Sequence, residues 1–311
     1  MPPRTVRTAL LSLLLSAATV VGLAITVAPA DAAYPGGDGR IAFVRANQIY
    51  TMTPSGTGVT RLTAAGKNYR PKWSPNGRWI SYIHEVNGRR DVWVMGAGGG
   101  HKRAVTTTGD VTSAGATWSP TGKRLAFANP ELNVVRSAAR AGSPAPLNGF
   151  PTGGFCSDPG ELGPIYVDRF VAWSPDGARI AVFDHSDCYF DDRIDMYYTA
   201  TNELRQYVAG GADCCGYVDW TDLFWGPGNQ FGYSERDLGP YGEGTSNPVR
   251  IVYPGFRSRA GDTGGAPSPS GTYLAVTNAS SGTAKIVRAK VAGTDRRVLT
   301  RGYQPDWQPV P

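Results

Sequence analysis

Histidine, cysteine and methionine are scarce in this 311-residue chain, with three His, four Cys and four Met. His84, His101 and His185 stand far apart, which excludes a multi-His metal centre and leaves each as a surface loop residue. His84-Glu85 lacks the second His of a zinc-protease helix and follows a strand-like run. No Gly-x-Ser-x-Gly nucleophile elbow occurs, and no Cys-x-x-Cys. No Lys/Arg-rich run with interleaved aromatics is present, which argues against nucleic acid as a partner. The densest basic stretch, Lys67, Lys72, Arg89, Arg90, Lys102 and Arg103, reads as solvated surface. Such a surface meets anionic cell-wall polymers or headgroups only through screened electrostatics. After residue 33 nothing is apolar for long enough to span a bilayer.

What precedes residue 33 differs. Arg4 and Arg7 lead into an apolar run from Ala9 to Ala30, followed by Ala30-Asp31-Ala32, a small-x-small cleavage site. The expectation is a secretory signal over residues 1–32 and a secreted chain from 33 to 311. The alternative is an uncleaved N-terminal membrane anchor, since the run is nearly long enough to span. No Cys follows the run, so no lipoprotein-type attachment site is offered. Cleavage leaves 29 basic against 24 acidic side chains.

Glycine and proline are plentiful, 40 and 24, beside 15 Tyr and eight Trp, as in a chain of many short strands and tight turns. Trp-Ser-Pro-x-Gly occurs three times, at Trp73–Gly77, Trp118–Gly122 and Trp173–Gly177, each before a short apolar run. Weaker copies stand at Trp225-Gly226-Pro227-Gly228-Asn229 and Pro267-Ser268-Pro269-Ser270-Gly271. The ends supply a sixth in halves, Asp38–Phe43 and Pro305–Pro309. Successive Trp-equivalent positions from 73 to 307 lie 45, 55, 52, 42 and 40 residues apart, room for four short strands and their loops. The fold expected is all-β, a six-bladed β-propeller of four-stranded antiparallel blades. Its ring closes by pairing the N-terminal strands, about 38–52, with the Trp307 strand.

Each motif position has a physical reason. Pro presets the first corner of a type I turn, Asp or Asn tolerates the second, and Gly takes the left-handed corner that joins the strands. Trp ends the first strand, placed to pack between blades. Gln48–Met52 and Asp91–Met95 read as third strands, Thr60–Thr63 and Arg103–Thr106 as fourth strands. With these half-motifs the chain resembles the six-bladed propeller of the TolB family, over residues 35 to 309. The resemblance implies an extracytoplasmic binding protein. It does not extend to TolB's N-terminal α/β domain, which contacts envelope partners, nor is there room after the last half-blade for the hydrolase domain of prolyl-oligopeptidase-type enzymes.

In such a meander the turns after first and third strands share one face of the disc. The loops after second and fourth strands share the other. The long insertions, 146–167, 184–192, 209–219 and 234–248, all fall on the second face around blades 4 and 5. They hold all four cysteines, Cys156, Cys188, Cys214 and Cys215, which suggest two disulfides with three possible pairings. They also hold the most acidic loop, with Asp184, His185, Asp187, Asp191 and Asp192; Asp168, Asp213, Asp219 and Asp222 adjoin it. Convergent carboxylates suit Ca²⁺ or a cationic ligand, although no EF-hand spacing is present; solvated acids, or pairing with Arg169 and Arg193, is the alternative. Four residues before the motif Trp stand Tyr69, Arg169 and Tyr303, expected to ring the channel mouth.

The functional expectation is a non-enzymatic binding protein, a monomer with no required cofactor. It contacts an envelope or extracellular protein or glycan through the loops around blades 4 and 5. The alternative is an extracellular hydrolase or lyase acting on a glycan or peptide with carboxylates of the same face.

Overall fold

The computed structural model describes residues 36–138, 142, 144–149, 163–165, 167, 169–184, 193–209, 217–239 and 244–311. Six antiparallel blades surround one axis. Blade 1 begins with β1 (Gly37–Arg45), β2 (Gln48–Met52) and β3 (Thr60–Arg61). Blade 2 is β4 (Lys67–Trp73), β5 (Trp79–Val86), β6 (Arg89–Gly96) and β7 (Arg103–Ala104). Blade 3 is β8 (Ala116–Trp118), β9 (Arg124–Ala128), β10 (Leu132–Arg136) and β11 (Ala145–Pro146). A small ribbon, β12 (Asn148–Gly149) with β13 (Gly163–Pro164), precedes blade 4. Blade 4 is β14 (Val171–Trp173), β15 (Arg179–Asp184), β16 (Arg193–Tyr198) and β17 (Glu203–Ala209). Blade 5 is β18 (Tyr217–Gly226), β19 (Gln230–Gly239) and β20 (Arg250–Val252). Blade 6 is β21 (Asp262–Pro267), β22 (Tyr273–Asn278), β23 (Lys285–Lys290) and β24 (Arg297–Arg301). The last strand, β25 (Tyr303–Val310), is the inner strand of blade 1 and pairs with β1, Ile41 opposite Trp307.

The repeat motif builds the turn between the first two strands of a blade. Gly77, Gly122 and Gly177 take φ of 65°, 66° and 76°, the left-handed corner that a Cβ disfavours. The Ser before Pro has a role beyond the turn itself. Its hydroxyl accepts from the backbone N–H five residues on, Trp79 to Ser74 at 3.0 Å, Arg124 to Ser119 at 3.0 Å and Arg179 to Ser174 at 2.9 Å. One side chain thus locks the hairpin that one Gly bends.

The motif Trp side chains wedge between neighbouring blades. Trp73 clusters with Ala42, Ile49 and Leu62 of blade 1, Trp118 with Ile83 and Val92 of blade 2, and Trp307 with Ala266 and Ala275 of blade 6. Trp118 Nε1 donates to the carbonyl of Lys72 at 2.9 Å and Trp225 Nε1 to that of Ala172 at 3.0 Å. The indole therefore buries its face and ties two inner strands together.

The fourth strands of blades 1 and 2 are shorter than their sequence suggests. Thr63 and Thr106 replace the ladder with their hydroxyls, accepting from Ile49 N at 2.9 Å and Val92 N at 3.0 Å. Blade 5 has three strands rather than the four expected. After β20 no fourth strand among the described residues pairs with its edge, and Ser258 Oγ accepts the N–H of Ile251 at 2.8 Å instead.

Candidate functional site

The six inner strands run from the loop face to the turn face, so their exposed edges line the axis. Between Tyr69 and Lys72 the pairing of β4 shifts register, and it shifts likewise between Trp220 and Asp222, between Thr263 and Ala266, and in β25. These bulges turn the residue three before the motif Trp toward the axis. With the equivalent positions of blades 3 and 4, whose inner strands show no such shift, the ring is Arg70, Gly115, Phe170, Asp222, Gly264 and Gln304. Arg70 and Gln304 both sit at φ 54°, a strained value for residues with side chains. Hydrogen bonds hold them there: Arg70 N donates to Gln304 Oε1 at 2.9 Å and Gln304 N to Thr277 Oγ1 at 3.0 Å.

Arg70 fills the centre of this layer. Its Nη1 lies 3.3 Å from Asp222 Oδ1, and its guanidinium stands 4.7 Å from the Phe170 ring centroid. Gly115 and Gly264 are needed beside the pair, because a Cβ there would lie 3.0 Å from Arg70 Cβ and 3.3 Å from Asp222 Oδ2. Burial pushes the Asp222 carboxyl above its ordinary value, and the charges of Arg70 and Lys72 pull it back. Burial likewise pushes Arg70 down, opposed first by Asp222.

Toward the turn face the channel widens into a cavity of about 100 Å³ lined by motif Trp and Pro residues with Lys72 and Asp306. That holds a few waters, at roughly 30 Å³ each. Lys72 Nζ lies 3.2 Å from Asp306 Oδ1, and Asp306 Oδ2 accepts the N–H of Trp73 at 2.7 Å. Burial raises the Asp306 carboxyl, with Lys72 the main opposing charge.

On the loop face, blade 5 stands apart. Its inner hairpin of β18 and β19 has ten residues per strand, pairing out to Tyr217 opposite Gly239. β18 starts eight residues before its motif Trp, whereas β4 starts six before and β14 two before. Asp219 on this hairpin receives Arg169 Nη1 of blade 4 at 2.7 Å, both partly exposed, and the Arg169 guanidinium lies 4.3 Å from the Phe183 centroid.

The sequence-predicted residues divide accordingly. Arg169 meets Asp219, while Asp222 is drawn to the axis by Arg70. Tyr69 turns outward and donates to Glu85 Oε2 at 3.1 Å; burial and that carboxylate raise its pKa to about 12. Tyr303 also turns outward, to Asn47 Oδ1 at 3.2 Å. The axial ring thus stands one residue after the Tyr69, Arg169 and Tyr303 positions, and in β4 and β25 a bulge rotates the strand there. Asp184 ends β15 opposite Arg193. Asp168, Asp213, His185, Asp187, Asp191, Asp192 and all four cysteines lie outside the described residues, as do the Ca²⁺ and disulfide readings built on them. Arg70, Phe170 and Asp306 were not singled out from sequence, and Lys72 was read only as solvated surface, though a fixed offset from the Trp marks each.

No family model matches this chain, and no curated protein sequence matches it. Solved structures do. TolB from Acinetobacter baumannii superposes with a TM-score of 0.60 at 16% identity, over 88% of this chain and 68% of that one. A chain of a nidogen/laminin complex gives 0.57 at 11% identity, over 86% and 98%. A TolB from Agrobacterium tumefaciens gives 0.53 at 13% identity, over 86% and 92%. With its six blades and these neighbours, the chain has the fold of a TolB-like six-bladed β-propeller.

Proposed function

We propose that this chain is an extracytoplasmic, non-enzymatic binding protein that engages an envelope or extracellular partner through the loop face of blades 4 and 5. The observation that carries this reading is the blade 5 hairpin, whose two ten-residue strands are the longest among the described residues, with Asp219 bound to Arg169 of blade 4 and Asp237 exposed near the loop-side end. A rigid ring with one extended, charged hairpin suits surface recognition. The channel suits small-molecule chemistry less. Its ionisable groups pair with each other, and its cavity of about 100 Å³ is below the roughly 300–1,000 Å³ of ligand pockets. The fold likeness to a chain from a nidogen/laminin complex is compatible with a role in protein contact.

One observation favours the second reading, a hydrolase or lyase. Asp222 and Asp306 are both buried carboxyls held above their ordinary range, which is how acid–base pairs are tuned.

The test is to immobilise the protein and measure retention of detergent-solubilised envelope components, before and after Asp219→Ala with Asp237→Ala. The binding reading expects a loss of about tenfold or more, with no change on Glu131→Ala at the blade 3 loop. Equal retention by both variants would sink it. Turnover of uronate oligosaccharides or peptides that vanishes in Asp222→Asn would establish the enzyme instead.

A further inference from the structure

The turn-side ends of blades 2 and 3 carry a patch rich in basic residues. Arg78, Lys102, Lys123, Arg124 and Arg136 are exposed there, with Arg103 half-buried among them. Printed side by side in sequence they look scattered, yet the fold joins them. Ala97 N donates to Arg78 O at 2.9 Å, Ser137 N to Lys123 O at 3.0 Å, and Arg103 Nη2 to Ser137 O at 2.6 Å. Arg124 stands opposite Arg136 in the β9–β10 ladder, a like-charge pairing that costs stability unless an anion is near. No Asp or Glu occurs in residues 92–109, 111–130 or 132–138; the acids of these blades, Glu85, Asp91, Asp110 and Glu131, lie at the loop-side ends.

The N-terminal strand begins on this same face. Gly37 pairs with Val310, Ser270 N of the blade 6 turn donates to Asp38 Oδ1 at 2.9 Å, and Gln308 Nε2 donates to Gly77 O of the blade 2 turn at 2.8 Å. The described chain therefore begins beside the turns, on the same face as these bases. Val59 and Val310, 40% and 46% exposed, lie on that side too.

We infer that the turn face of blades 2 and 3 docks on a membrane surface bearing anionic phospholipid headgroups. Bases gathered at one end of two neighbouring blades match the negative potential above an anionic bilayer surface. The docked orientation points the blade 5 hairpin away from the lipid, toward solvent. It does not depend on the reading of that hairpin as a contact surface.

The experiment uses the chain from Ala33 onward, which contains every strand of the closed ring, and co-sedimentation with vesicles. Binding is expected to phosphatidylcholine vesicles containing phosphatidylglycerol, to weaken as salt is raised, and to be absent from phosphatidylcholine alone. Lys123→Glu/Arg124→Glu/Arg136→Glu should lower the partition coefficient by about tenfold or more. Arg89→Glu/Arg259→Glu/Arg301→Glu, with the same charge change on the loop side, should leave it within about twofold. If the first variant loses its native near-ultraviolet circular dichroism, Arg78→Glu/Lys102→Glu/Lys123→Glu replaces it with the same expectation. Equal loss in both sets, which net charge alone would give, overturns the inference. So does binding of inorganic polyphosphate with no binding to the anionic vesicles.

Discussion

Arg70 of blade 2 and Asp222 of blade 5, residues from opposite sides of the ring, meet across the axis with Nη1 3.3 Å from Oδ1. This contact and the Phe170 ring beside it close the channel between the loop face and the turn-side cavity. Removing one partner leaves a buried charge unpaired. Arg70→Leu or Asp222→Leu alone is expected to cost about 3 kcal/mol. The double replacement should recover most of that loss, since two apolar side chains of similar size need no partner. Urea unfolding of the three variants measures it, and near-additive losses would deny the coupling.

Gly115 separates packing from backbone conformation. Its φ is 93° and a Cβ would stand 3.0 Å from Arg70 Cβ, whereas Gly228 at φ 68° has open space around it. Gly228→Ala should cost about 1 kcal/mol, the conformational part. Gly115→Ala should cost roughly 2–3 kcal/mol, because Arg70 must also shift. Thermal unfolding of the pair is the check.

The indole nitrogens are unequal. Trp118 Nε1 donates to Lys72 O at 2.9 Å, while Trp73 Nε1 is buried without a hydrogen-bond partner. Both rings bury comparable surface, so the difference between the two Trp→Phe variants isolates the hydrogen bond. Trp118→Phe should be the more destabilising by about 1 kcal/mol.

His84, which lies within β5 and is half-buried rather than on a surface loop, gives the fold a pH dependence of known sign. Burial holds its imidazole below the ordinary 6.5, with Asp91 pulling the other way. Its Nδ1 lies 2.8 Å from Asn68 Oδ1, and its ring 4.6 Å from that of Trp93. The fold favours neutral His84, so the unfolded chain binds the proton more readily. The stability from this site is full above 6.5 and is lost as pH falls toward the folded value. Denaturation midpoints measured downward from neutral pH should fall more in the wild type than in His84→Gln.

The framework was legible in the sequence because Trp, Pro and Gly recur at fixed offsets and each performs one mechanical task. The Ser of the motif was as regular, and its hydroxyl bond to the next strand is the local reason it recurs. The axial ring was not legible. Its members, Arg70, Gly115, Phe170, Asp222, Gly264 and Gln304, share a position and no chemistry, and that position lies one residue past the Tyr69, Arg169 and Tyr303 offset, through a bulge in β4 and β25. Nor does any local signal announce that residues 70 and 222 touch, since ring closure alone brings them together. Blade 5 has three strands, a departure that a repeat count passes over.

The claim that recognition is built on the blade 5 hairpin is tested most directly by amide hydrogen exchange. The purified protein is compared alone and with detergent-solubilised envelope components, a mixture without a bilayer. The account predicts protection across Tyr217–Asp222 and Glu235–Gly239, with the turns at Pro75–Arg78 and Pro120–Arg124 unchanged. Protection confined to the inner strands around Lys72 and Asp306, with the hairpin unchanged, would contradict it and point to the channel as the binding site.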